Sequence, residues 1–249
     1  MQIIIHPDHL EDLIKHYEKY GFYEELIRLL ENGLTLERSH MGLYTELGVI
    51  YAKYHPERLM DHLQTYVQKV NIPKLLRACD KFKMWPEAVF LHINYDEFDN
   101  AIITMIQHAP TAWKHDLFVK NITRVSNQEL FYRSIRFYLD WEPMLLNDLL
   151  KIVSGKLDLP KTVLVLRQTG HLPLVTPFLR SVQGQNVVAV NEALNEVYVE
   201  NGDYESLRDS VTQNDNFDQI ALAQILEKDE LLEFRRISAL LYRKHKRFQ

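Results

Sequence analysis

Histidine, cysteine and carboxylate side chains are the groups of this sequence that could carry chemistry. His6 and His9 stand three residues apart, so two imidazoles could share a metal ion, but no His-Glu-x-x-His motif occurs. The single cysteine, Cys79, has no cysteine partner, and as a nucleophile it would need an activating base. It shares a predicted helix face with Leu75 and Phe82, which favours a buried, unreactive thiol. We therefore predict no metal site and no disulfide.

Clustered carboxylates are the second candidate, because paired acids can act as general acid and base. Asp96, Glu97 and Asp99 form one cluster, and Asp229 and Glu230 form another. Both lie where helices are predicted to begin, where acidic side chains usually cap free N–H groups. Neither a glycine-rich phosphate loop nor a Gly-x-Ser-x-Gly motif occurs. The sequence therefore predicts neither an enzyme nor a bound cofactor.

Basic residues offer a binding function. At 100° per residue Lys74, Arg77 and Lys81 fall on one side of a predicted helix, away from Leu75 and Cys79. Such a stripe is commonly just the solvated side of a helix, and the alternative is a docking site for an acidic partner helix. The basic run at residues 243–247 could bind RNA or act as a nuclear import signal, and the end of a chain cut through a repeat would look the same.

Composition and charge exclude several classes of protein for this chain. The chain has 249 residues, a formal net charge of −5 and 46% hydrophobic residues, which suits a large folded core and excludes a disordered chain. The sequence lacks the excess of basic residues that is typical of nucleic-acid-binding proteins. No apolar run approaches the roughly 20 residues of a membrane helix, and one cysteine favours the reducing cytosol.

The elements that must position these residues are helices. Apolar residues recur at helical spacing, and turn-forming residues interrupt them about every 15 residues in two interleaved series. Even the β-branched run at residues 162–166 lies between helical neighbours, so we predict a buried helix there. One series of breaks includes Gly21, Pro56, Pro86, Pro110, Pro143, Gly170, Gly202 and Asp229, and the other includes Ser39, Asn71, Asp96, Ser126, Asp158, Gly184 and Asn214.

Two interleaved series with one period of about 30 residues indicate a repeated helix pair. The predicted fold is all-α: an elongated α-solenoid of about eight stacked antiparallel pairs, continuous over residues 1–249 as a single domain. The tetratricopeptide and ankyrin signatures are absent, and HEAT-type repeats are longer.

Several strings in this predicted solenoid resemble the clathrin heavy chain. Each is short, but together and in order they are specific, and they span nearly the whole sequence. They include Leu36-Glu37-Arg38-Ser39-His40-Met41-Gly42, Val70-Asn71-Ile72-Pro73-Lys74, Asp99-Asn100-Ala101-Ile102-Ile103-Thr104-Met105, Leu145-Leu146-Asn147-Asp148-Leu149-Leu150, Asp215-Asn216-Phe217-Asp218 and Leu232-Glu233-Phe234-Arg235-Arg236-Ile237.

The resemblance implies a function and partners. It implies a structural segment of the proximal clathrin leg, on the cytosolic face of coated pits and vesicles, that packs with other heavy chains and binds a clathrin light chain. Membranes would be reached only through adaptors. Since family members also have a β-propeller, a distal leg and a trimerisation segment, we expect this chain to be an excised, monomeric fragment. The alternative is a subunit of a vesicle tethering or sorting complex.

The same resemblance gives the basic stripe a partner. Clathrin light chains are acidic and bind the proximal leg, so we expect a light-chain helix to dock across Lys74, Arg77 and Lys81, all three solvated in the free protein.

Overall fold

The computed structural model describes residues 9–35 and 40–244, and the regular elements in these ranges are all helical. Short 3₁₀ turns extend several of the helices or lead into them. The seventeen α-helices are α1 (Leu10–Tyr20), α2 (Tyr23–Leu34), α3 (Met41–Tyr54), α4 (Pro56–Tyr66), α5 (Ile72–Phe82), α6 (Trp85–Asn94), α7 (Phe98–Gln107), α8 (Ala109–Ala112), α9 (His115–Ile122), α10 (Gln128–Trp141), α11 (Leu146–Val153), α12 (Leu159–Gln168), α13 (Thr176–Val182), α14 (Val188–Glu200), α15 (Tyr204–Gln213), α16 (Gln219–Glu227) and α17 (Leu232–Lys244).

The chain divides into two compact units, residues 1–130 and residues 131–249. In the first unit α1 packs on α2, α2 on α3, α3 on α4, α5 on α6 and α6 on α7, and α3 also packs on α5 and α4 on α6. Contacts between neighbouring helices and between helices two apart in sequence are typical of a helical solenoid, in which one repeat buries the apolar face of the next. Fully buried core residues include Leu26, Leu47, Leu59, Leu63, Leu75 and Leu91.

The second unit has the same packing. Its α12 packs on α14, α11 on α13, and α14 on both α13 and α15, while α16 packs along α17. Fully buried residues of this unit include Tyr138, Leu150, Leu166, Leu179, Leu194 and Phe234. The predicted all-α solenoid is therefore confirmed, and seventeen helices in the described ranges, one of them of four residues, agree with about eight pairs. Continuity of residues 1–249 as a single rod stays a prediction.

Local signals end several helices where the sequence predicts it. Gly21, Gly170 and Gly202 follow α1, α12 and α14 with φ angles of 76°, 72° and 69°, a backbone region that glycine enters without steric cost. The β-branched run at residues 162–166 lies within α12 as predicted, and all of it is buried except Leu164.

Successive repeats are joined by hydrogen bonds that reuse one geometry. The residue that caps the start of a helix donates its backbone N–H to a side chain in the helix of the preceding repeat, always 26 residues earlier in the sequence. The pairs are Asn71 to Thr45 Oγ1 (2.8 Å), Asp158 to the Tyr132 hydroxyl (3.3 Å) and Asp218 to Glu192 Oε1 (3.4 Å). These bonds satisfy backbone N–H groups that have no acceptor within their own helix, and they set the register between repeats.

Some predictions fall outside the described residues. These are His6, the break at Ser39, residues 36–39 of the clathrin-like string, and residues 245–247 of the basic run. In the described ranges, no helix combines the length and apolar character needed to cross a membrane.

Candidate partner-binding surface

Helix α5 separates the basic stripe from the core as predicted. The Asn71 side chain caps the helix by accepting from the Lys74 N–H at 3.0 Å. Leu75 and Cys79 point inward and are fully buried. The prediction that Cys79 is buried is confirmed, and burial raises the pKa of its thiol to about 12. Arg77 lies on the exposed side of α5.

Lys74 is not free, contrary to the expectation that the whole stripe is solvated. Its Nζ forms an ion pair and a hydrogen bond with Glu46 on α3. The Glu46 side chain is only 17% exposed and that of Lys74 is 43% exposed, so water screens this pair less than a pair on the open surface. Lys74 therefore already joins two repeats before any partner arrives.

An equivalent lysine supports this assignment. The string Asp158-Leu159-Pro160-Lys161 starts α12 in the same way that Asn71-Ile72-Pro73-Lys74 starts α5. Lys161 also reaches back to the preceding repeat, where its Nζ lies 4.1 Å from the centroid of the Tyr132 ring. Aligning the two strings as repeats was the sequence signal that could have revealed the packing role of Lys74.

Arg77 and Lys81 are the available cations of the stripe. Both side chains are exposed, and neither forms an ion pair with any described residue; Lys81 Nζ lies 5.4 Å from the centroid of the Phe82 ring. They are four residues apart, which places them about 6 Å apart along the helix axis. Asp80 is also exposed on α5 and borders them. The pair can therefore bind two carboxylates spaced one helical turn apart.

The acidic clusters bind protein groups, but not always as caps of their own helices. Glu97 Oε2 lies 2.8 Å from His92 Nδ1. Asp99 accepts from the Ser126 N–H at 3.0 Å, so it stabilises the turn before α10 instead of capping its own helix α7. Asp229 accepts from the N–H of Leu231, the residue immediately before α17, so it pairs a free amide in the turn that leads into this helix. Within residues 9–35 and 40–244 no group of three or more His, Cys, Asp or Glu side chains could hold a metal ion.

Glu87 is a buried acid that sequence reasoning missed. It lies on α6 with only 8% of its surface exposed, and its Oε2 has no hydrogen-bond partner among the described residues. Burial raises the pKa of this carboxyl group. Its charge also adds to the raised pKa of Cys79. No local pattern marks it, since acids in the first turn of a helix usually face water.

Comparison with known proteins identifies the family. A family model for clathrin, described as "Region in Clathrin and VPS", matches residues 1–146 and 150–249. The chain is 53% identical over 248 residues to "Clathrin heavy chain" of Dictyostelium discoideum and 51% identical over 249 residues to "Clathrin heavy chain 1" of Oryza sativa subsp. japonica. It is 50% identical over 243 residues, 98% of its length, to "Clathrin heavy chain 2" of Homo sapiens. It spans 15% of the length of each of these relatives. The resemblance noted in the sequence is thus confirmed, and the chain belongs to the clathrin repeat family.

Proposed function

We propose that the chain is a structural segment of a clathrin heavy chain, from the proximal leg, that helps to build a vesicle coat on the cytosolic side of membranes. The observation that carries this proposal is similarity along the whole sequence: identity is 46% to 53% over essentially every residue to clathrin heavy chains of an amoeba, plants, animals and a yeast. No catalytic step forms part of the role.

A helical solenoid suits such a role physically. Each repeat exposes one side of its helices, so the stacked repeats provide long surfaces for contact with other heavy chains. Many weak contacts within a lattice add up through effective concentration, and the coat can still disassemble. Adaptor proteins would supply the link to membranes. With a net charge of −5 the chain has no electrostatic preference for nucleic acid.

The proposed partner of α5 is an acidic light-chain helix. Arg77 and Lys81 supply exposed positive charge that forms no ion pair with any described residue, and Lys74 lies beside them at the junction with α3. Exposed charges contribute modestly to affinity, about 0.2–1 kcal/mol for each pair, so the apolar face of the partner helix must supply most of the binding free energy.

A second candidate function is that of a subunit of a vesicle tethering or sorting complex. The observation that favours it is the description of the matching family, which names VPS proteins beside clathrin. The relatives described above are all clathrin heavy chains, which is why we place the coat role first.

Calorimetric titration of the chain with a purified clathrin light chain tests the proposal. We expect binding at low ionic strength that weakens as salt is added, since screening acts on the exposed charges. A light chain whose acidic residues are replaced by their amides serves as the matched control and should bind more weakly. Absence of binding at low salt, or equal binding of the amide control, would contradict the proposed contact.

A further inference from the structure

A groove between α14 and α16 has no assigned role. Its volume is about 350 Å³, and its apolar lining includes Val199, Phe217, Leu222 and Ile225. Ile225 is 60% exposed, although it belongs to a residue type that is usually buried. An apolar side chain presented so openly in a concave surface is typical of a binding groove.

The charged residues of this groove are nearly all acidic. Glu192, Glu196 and Glu200 follow one another at four-residue spacing along α14, and Asp218 lies at the start of α16. The one cation among the lining residues is Arg167, whose Nη2 donates to Glu196 at 2.7 Å. Four carboxylates thus face one guanidinium, and the groove attracts positive charge.

A buried donor lies in the same groove. Asn195 is 2% exposed, and its Oδ1 accepts from the Ser210 hydroxyl at 2.8 Å. Its Nδ2 has no acceptor among the described residues. Because the Nδ2 atom is itself buried, a partner can reach the carboxylates and the apolar side chains of the groove but not this donor.

We propose that this groove binds a basic amphipathic helix from a partner protein. The partner's apolar side chains would cover Val199 and Ile225, and Lys or Arg residues four positions apart would face the carboxylates of Glu192, Glu196 and Glu200. That acidic column extends about 12 Å, which corresponds to two turns of a helix lying beside α14. The occupant has the opposite charge to the acidic helix proposed for α5, so the two sites differ, and this inference does not depend on the proposed function.

Selection from a displayed library of helical peptides tests the proposal on the whole chain. The peptides, about 14 residues long, share one apolar stripe and vary between Lys and Glu at every polar position. We expect the enriched peptides to carry net positive charge and lysines at four-residue spacing. Enrichment of acidic peptides, or no enrichment above background, would overturn the proposal.

Two substitutions locate the binding site of the enriched peptides. Ile225→Lys removes an apolar contact and places a positive charge that repels a basic helix, so it should weaken binding about tenfold or more, and Glu200→Lys should weaken it severalfold at low salt. The matched control is Leu164→Lys on α12, since Leu164 is 51% exposed and does not line the groove. Circular dichroism should show the same helix content in all three variants. Equal binding to the Ile225→Lys and Leu164→Lys variants would place the peptides elsewhere and refute the groove.

Discussion

Reversing charges on α5 distinguishes residues that bind a partner from a residue that joins two repeats. Arg77 and Lys81 are exposed and form no ion pair with described residues, so replacing both with Glu should leave folding intact. An exposed pair contributes about 0.2–1 kcal/mol, and reversal replaces this attraction with a repulsion of similar size. Two reversals should therefore change the binding free energy of an acidic light chain by about 2 kcal/mol, or roughly 30-fold in affinity at low salt.

Lys74→Glu should behave differently. It removes the ion pair with Glu46 and leaves two carboxylates together at a half-buried junction between α3 and α5. We expect the free energy of unfolding to fall by about 1–2 kcal/mol, because Glu46 loses its partner where water solvates it poorly. The change should appear in the melting temperature even when no light chain is present.

Calorimetry at low and high salt, with thermal unfolding of each variant, measures both effects. Arg133→Glu with Arg136→Glu is the matched control, since these two arginines of α10 are also exposed and the net charge changes equally. If the Arg77 and Lys81 double variant binds within twofold of the unchanged protein, the light chain does not use this stripe. If Lys74→Glu weakens binding strongly without changing the melting temperature, the reasoning about Glu46 is wrong.

Three further predictions concern the buried and capping residues. Cys79 should resist alkylation at pH 8 in the folded protein and react once the protein is unfolded, because burial raises its pKa to about 12; rapid reaction of the native thiol would contradict this. Glu87→Gln should stabilise the protein at pH 7. The pKa of Glu87 is raised in the folded protein, so the unchanged protein loses stability as pH rises above 4.5, the ordinary value for this carboxyl group. Denaturant titrations should therefore show that the stability gained by the variant shrinks toward pH 4. Asp158→Ala should cost about 1 kcal/mol in thermal unfolding, since the carboxylate caps α12 through the Lys161 N–H, whereas Asp140→Ala on the exposed side of α10 should cost little.

Features that depend on local sequence were predictable. Gly21, Gly170 and Gly202 mark helix ends because only a residue without a Cβ takes the left-handed conformation freely. Cys79 was correctly predicted to be buried, because its position relative to Leu75 on one helix face follows from the helical period alone.

Features that depend on contacts between repeats were not predictable in the same way. The ion pair of Lys74 joins it to Glu46, 28 residues earlier, and helical spacing says nothing about a neighbouring helix. Glu87 looks like an ordinary residue of a first turn, and only packing shows that it is buried. The groove beside Ile225 likewise arises from how α14 and α16 pack, which helical spacing within either segment does not reveal.

The coat role itself is tested most directly in the cells that make the protein. Coated vesicles are purified, and mass spectrometry quantifies peptides of residues 1–249 against clathrin light chain and against subunits of tethering complexes. The coat assignment predicts that these peptides are enriched with the vesicles in a fixed ratio to light chain and are released with the coat when it is stripped. Peptides that are absent from the coats and co-purify with a tethering complex instead would contradict it.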